Sequence, residues 1–529
     1  MTVEDVKYPG RVPTDLLTRL LWLAALALII FGVKLLFIRH FGTAMPYWDQ
    51  WDAEADLIYK PYFNSNLSLS TLFSSHNEHR ILISRIFALA LFELDGGWDP
   101  ILQMMANAVL HVVAIILLML TLRRIIRPDQ FVLLVLFSIL LFALPIGWEN
   151  LLAGFQSQFY FLLIFSLLAL IGFSRAPAWG PVWWGSVLCC LAAYFSMASG
   201  ALTAAAAVAM LAAQMVCGHR TGRKEQLGLT VLVVMTVAML AFIRSVPGHE
   251  MLKAHNFAEF GRAFLACLSF PRISPYSGLW INLPAAIYAV AVLLRRPSLR
   301  SPHWVVLGLI IWLLTQSISL SYGRAVLVTS PRYLDVIIVG LPVNFAILLF
   351  AQSWVSGDRK RGAAVLLTVG WLCIVVPALI WNMIISSIPA VIDKGMQGRE
   401  QERNVMAYLR TGNLAELQGK AGQAIPYPVP ERLAALLSDP VIRQVLPDAL
   451  RSGDIDDRAR LDHTWLKGRL RGASSRIKRQ ILSHAQVLAG VGVALAFAGG
   501  MLGWRRRRGQ DAETRPADAL PNEPVVERA

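Results

Sequence analysis

Residues 16–52 read LLTRLLWLAALALIIFGVKLLFIRHFGTAMPYWDQWD, and this stretch decides the fold. Its first part, 16–38, is an apolar run broken only by Arg19 and Lys34. About 20 such residues in a helix cross a hydrocarbon core of roughly 30 Å. Directly after the run come Trp48, Asp49, Trp51 and Asp52, which puts carboxylates beside indoles at what would be a membrane surface. Runs of similar length recur to the end of the chain. With 56% hydrophobic and 16% charged residues over 529 positions, the sequence has too little polar surface for a soluble fold of that size. The expected class is an all-α polytopic membrane protein. The runs are continuous rather than alternating, which excludes a β-barrel.

Lys7, Arg11 and Arg19 precede the first run, which predicts a cytoplasmic N-terminus. The run is too long for a cleavable signal peptide, and no small-residue cleavage site follows it. Further runs are read at 101–122, 130–147, 157–173, 228–245, 278–295, 303–320, 333–352, 364–385 and 484–503. The stretch PVWWGSVLCCLAAYFSMASGALTAAAAVAMLAAQMV (181–216) is too long for one span and divides at Ser196–Gly200. That gives about twelve spans, and their parity collects the short basic loops on one side. The net charge of +15 is therefore read as topology, not as a nucleic-acid footprint. The basic stretch 467–479 is the exception, in a long translocated segment where charge weighs less. The five cysteines lie in or beside apolar runs and predict neither a metal site nor a disulfide.

The expected organisation is a transmembrane core over 1–385 that includes a first external loop at 39–100 with interfacial helices. A small, mostly helical external segment follows at 386–483, then a last span at 484–504 and a disordered cytoplasmic tail at 505–529. Trp48 and Trp51 are expected at headgroup level. SSHNEHRILISRIFALALFEL (74–94) reads as one amphipathic interfacial helix, with Arg80 and Arg85 interrupting its apolar face.

The unusual residues fall in the external loops. HNEHR packs His76, Glu78, His79 and Arg80 together; it reads as a zinc site, a polar helix cap or a ligand site using both charge signs. GWENLLAGFQSQF holds Glu149, Asn150, Gln156 and Gln158. SYGRAVLVTSPRY holds Arg324, Arg332 and Tyr333 on the side where arginines are disfavoured, with no acid before Asp335. Such guanidiniums either snorkel to headgroups or await an anion such as a phosphate. Lys34, near the outer end of run one, has the same two readings. Gln103, Asn107 and His111 share one face of the second run, as in helix–helix hydrogen bonding.

The order WDQWD, HNEHR, WENLLAGFQSQF, FSMASG and GRAVLVTSPRY, over about residues 15–450, resembles the GT-C class of integral-membrane glycosyltransferases, in particular bacterial glycosyltransferase-like members. The resemblance implies a GT-C-like fold in a bacterial inner membrane, with both termini cytoplasmic and a periplasmic active site. It implies transfer of a sugar from a polyprenyl-phosphate carrier to a hydroxyl of an envelope glycan or lipid, with membrane lipids as the surroundings. A first-loop acid would act at the reacting centre: Asp49 as base, Asp52 as its partner or an acceptor ligand, and Glu78 in support. Arg324, Arg332, Arg80 and Lys34 would meet the donor phosphate. His76, His79, Glu149, Gln156, Trp51 and Tyr333 would bind acceptor or sugar. No cofactor is demanded, and a divalent metal stays open. The alternative expectation is a transporter or flippase of a lipid-linked or envelope substrate.

Overall fold

The computed structural model describes residues 16–420, 423–451 and 457–513. Lys7, Arg11 and the tail from 514 onward lie outside the described residues. Among those described the chain is helical, with no strand and a single isolated β-bridge between His76 and His79.

Among the described residues nine helices are long and apolar enough to cross a membrane: Leu16–Phe41, Pro100–Leu122, Gly154–Phe173, Ala198–Val216, Arg223–Ala241, His303–Gly323, Pro331–Trp354, Asp358–Thr411 and Ala485–Arg505. Shorter apolar helices, Pro128–Ala143, Pro181–Tyr194 and Leu283–Arg295, occupy the remaining apolar runs read from the sequence. This is the architecture of a polytopic α-helical membrane protein. Helix starts follow local chemistry. Asp99 caps Pro100–Leu122 by accepting from Leu102 N at 3.0 Å, with Pro100 at the first helical position. The first and last spans pack closely because small residues let their backbones meet. A Cβ on Gly32 would lie 2.7 Å from Ala489 N, and one on Gly492 would lie 2.9 Å from Ile29 N.

Hydrogen bonds sort the loops into two ends. At one end Ile83 N donates to Phe195 O at 3.2 Å and Asn150 Nδ2 to Arg332 O at 2.8 Å. At the other Arg220 donates to Phe173 O and Ala176 O, both at 2.8 Å, and pairs with Glu225. The first set joins the loops read as external; the second joins basic turns.

Three local expectations are corrected. Residues 74–81 do not begin a helix; they form a tight hairpin, and the helix runs over Leu82–Asp95. The turn is possible because Asn77 takes φ +51°, a left-handed conformation that Asn tolerates. Trp51 does not sit at an interface but is fully buried, donating Nε1 to Pro46 O at 2.9 Å and meeting Trp98 edge-on. The boundary at 385 falls inside one continuous helix, Asp358–Thr411, which bridges a π-helical turn at Met383–Ser387.

The first loop and the later segment fold on each other. Met45, Trp51, Tyr59, Phe92 and Trp98 share a core with Val405, Leu433, Leu437 and Ile442. Each buried aliphatic or aromatic side chain contributes about 1.5–3 kcal/mol here. This second core holds the first loop over the end of the bundle.

Candidate functional site

The site begins at a kink. Trp48 takes φ +49°, held by Trp48 N donating to Pro426 O at 2.8 Å. A bulky left-handed residue costs about 1–3 kcal/mol, and such strain gathers at functional sites. The chain then enters the π-helical segment Trp51–Tyr59, a rare geometry also frequent at such sites. Asp49 stands at its start and approaches the hairpin, with Oδ1 3.5 Å from His76 Nε2. Burial works to raise the Asp49 carboxyl. The His76 hydrogen bond and the charges of His76, Arg332 and His79 outweigh it and hold the group below its ordinary range. Asp49 is therefore ionised near neutral pH.

Glu78 lies at the hairpin tip between two late-sequence groups. Arg324 Nη2 reaches both its oxygens at 2.8 Å, and His249 Nδ1 lies 2.6 Å from Oε1. Burial opposes ionisation, but these hydrogen bonds and the Arg324 charge bring its pKa down to about 2. His79 shifts the same way for a different reason: desolvation lowers it to about 4, so it is neutral at pH 7. Its Nδ1 accepts from Ala198 N at 3.3 Å, which ties the hairpin to the Ser196–Gly200 break.

A second pair lies alongside. Arg332 Nε donates to Glu149 Oε2 at 2.8 Å, with Ser330 Oγ on the same oxygen at 3.1 Å. Lys394 sits over the ring of Tyr47, its Nζ 3.0 Å from the centroid, and within electrostatic range of Glu149. It makes no ion pair among the described residues. Tyr333 is within range of both arginines, its ring against Phe159. Acids from 49–149 thus meet cations from 324–394.

Asp52 is engaged elsewhere. Its carboxylate accepts from Tyr427 Oη at 2.5 Å and from Arg432 Nη2 at 3.0 Å, and Arg432 also reaches Asp56 at 2.7 Å. Four expected ligand residues do not join the cluster. Arg80 Nη1 is bonded to Phe73 O at 2.9 Å, within its own hairpin region. The Gln156 amide oxygen accepts from Gln158 Nε2 at 3.0 Å. Trp51 has no open ring face. Lys34 does not snorkel: it is 5% exposed, buried in the bundle in range of Asp335. Asp335 accepts from Asn150 Nδ2 at 2.9 Å and Tyr160 Oη at 3.2 Å. Of the polar face on Pro100–Leu122, Gln103 bonds Glu54, and Asn107 bonds Gly154 O at 2.9 Å. His111 instead stacks on Tyr160, and neither ring nitrogen has a hydrogen-bond partner among the described residues.

Sequence reasoning missed His249, Lys394, Tyr427, Arg432 and Glu54. His249 and its neighbour Glu250 were the one visible signal, a polar pair in a short loop. Among the described residues no group of three or more His, Cys, Asp or Glu side chains is placed to hold a metal ion. No family model, curated protein or solved structure matches the chain.

Proposed function

We propose that the protein is a membrane glycosyltransferase that moves a sugar from a polyprenyl-phosphate carrier to a hydroxyl of an envelope glycan or lipid. In this reading all twelve apolar helices span a bacterial inner membrane, the termini are cytoplasmic, and the hairpin end is periplasmic. The proposal agrees with the resemblance to the GT-C class. The observation that carries it is the convergence of an ionised acid, Asp49, with cations from distant sequence, Arg332 and Lys394, at one end of the bundle.

The acceptor oxygen attacks C1 of the sugar while the bond from C1 to the phosphate oxygen breaks. The hydroxyl becomes acidic as its new bond forms, and Asp49 takes the proton. The electron pair leaves with the carrier phosphate, whose growing charge calls for preorganised donors. Arg324 is largely committed to Glu78, so its main work is to fix the hairpin. Arg332 spends its Nε on Glu149 and is 35% exposed, leaving its outer nitrogens for an anion. Lys394 is the cation of the cluster without an acid against it. A single displacement inverts the anomeric centre.

One observation favours a second reading, a transporter or flippase. Lys34, His111, Tyr160 and Asp335 form a buried polar group within the helices, and ionisable groups there often mark substrate paths. Purified protein in sealed vesicles with lipid-phosphate sugar and an envelope acceptor separates the two. A transferase forms a new glycosidic bond seen by mass analysis, and Asp49→Asn stops it. Substrate movement without that bond, or normal transfer by folded Asp49→Asn protein, overturns the enzymatic reading.

A further inference from the structure

Arg85 lies in the apolar helix Leu82–Asp95 and is 1% exposed. One nitrogen does all its bonding. Nη1 donates to Ser74 O at 2.5 Å, Leu72 O at 2.9 Å, Thr71 O at 3.2 Å and Ser74 Oγ at 3.1 Å. These oxygens end the short helix Leu69–Phe73, where a cation is favourable. Nε and Nη2 are buried and have no hydrogen-bond partner among the described residues, and the same is true of the hydroxyl of Ser84, the preceding residue. Among the described residues no carboxylate pairs with Arg85, and desolvation alone acts on its charge.

Ser84 and Arg85 line a small cavity of about 10 Å³, with Glu54, Gln103, Phe155 and Ser157 also in its lining. Glu54, also in the lining, is committed to other donors. Its oxygens accept from Gln50 Nε2 at 3.1 Å, Trp98 Nε1 at 2.8 Å and Gln103 Nε2 at 3.0 Å. Burial, the largest influence on it, favours the neutral acid despite those bonds.

We propose that this cavity binds a small monovalent anion, of halide size, on the free Nε–Nη2 edge of Arg85 and the Ser84 hydroxyl. Water would satisfy the donors but leave a desolvated cation uncompensated, which costs several kcal/mol. An anion supplies acceptor and countercharge together. The site backs the hairpin: Ile81 joins the two, and Phe155 meets the His76 ring edge-on at 5.4 Å. Its occupant therefore steadies the position of His76 whatever reaction the protein performs.

The test is thermal unfolding of the full chain at constant ionic strength, with bromide replacing gluconate, together with anomalous scattering from bromide-soaked crystals. The expected result is a Tm that rises to saturation with bromide, and an anomalous peak beside Arg85. Ser84→Ala should weaken the titration about two- to tenfold, the worth of one hydrogen bond. Arg85→Gln should abolish it; if that variant does not fold, the wild-type titration and the peak still decide. Equal Tm values in both salts, or no bromide density at Arg85, mean a cavity that holds only water and overturn the proposal.

Discussion

Two faces of the first-loop helix carry the same residue type to different ends. Asp49 and Asp52 are three residues apart, and both side chains are 37% exposed. Exposure therefore does not separate them; their partners do. Asp49 faces the hairpin and the end of the bundle, where His76 approaches one oxygen and Arg332 acts only through space. Asp52 faces the later segment, where Tyr427 and Arg432 take both oxygens. One face leaves a carboxylate with room for a substrate. The other uses its carboxylates to fasten a cover: Asp52 and Asp56 on Arg432, and Lys60 on Asp439 at 2.7 Å.

This division can be broken by experiment. The largest effect expected is on Asp49: Asn there should cut sugar transfer about 10²–10⁴-fold, the usual worth of a general base. Asp52→Asn should cost less than about tenfold, since it removes one partner of a surface-accessible pair. Initial rates in proteoliposomes measure both, and equal losses in folded variants would erase the distinction. Next comes the hairpin. Glu78→Gln should lower stability by about 1.5–3 kcal/mol, the range for hydrogen bonds to charged groups. Adding Arg324→Gln should cost little more, because the two form one unit. Denaturation midpoints of the single and double variants give the coupling, and full additivity would separate the pair.

On the fastening face, Arg432→Gln should cost less than about 1 kcal/mol, given side chains 36–40% exposed, and the loss should shrink with salt. Proteolysis within 412–451 should quicken while the spans stay intact; no change at any salt would mean that the shared apolar core alone holds the segment. A further test is a pH window. His79 binds its proton at about 4 in the fold against an ordinary 6.5, so the unfolded chain takes up the proton first. Stability from this source falls as pH drops from 6.5 toward 4. Glu78 adds a lower window, its contribution complete above 4.5 and lost toward 2. His79→Asn should flatten the plot of Tm against pH in the upper window only.

The sequence by itself determined the helices and their apolar runs, because crossing hydrocarbon demands local length and hydrophobicity that each run carries alone. It also placed the unusual acids and arginines in the loops that meet at one end. Only the tertiary structure decided who pairs with whom. Glu78 finds Arg324 across 246 residues and Glu149 finds Arg332 across 183, and no local pattern encodes such partners. The same holds for Asp52 and Arg432, and for Trp51, which local reading sent to the membrane surface and packing sent to a core. Charge pairing depends on distance in space, while the run lengths that build the bundle depend on distance along the chain.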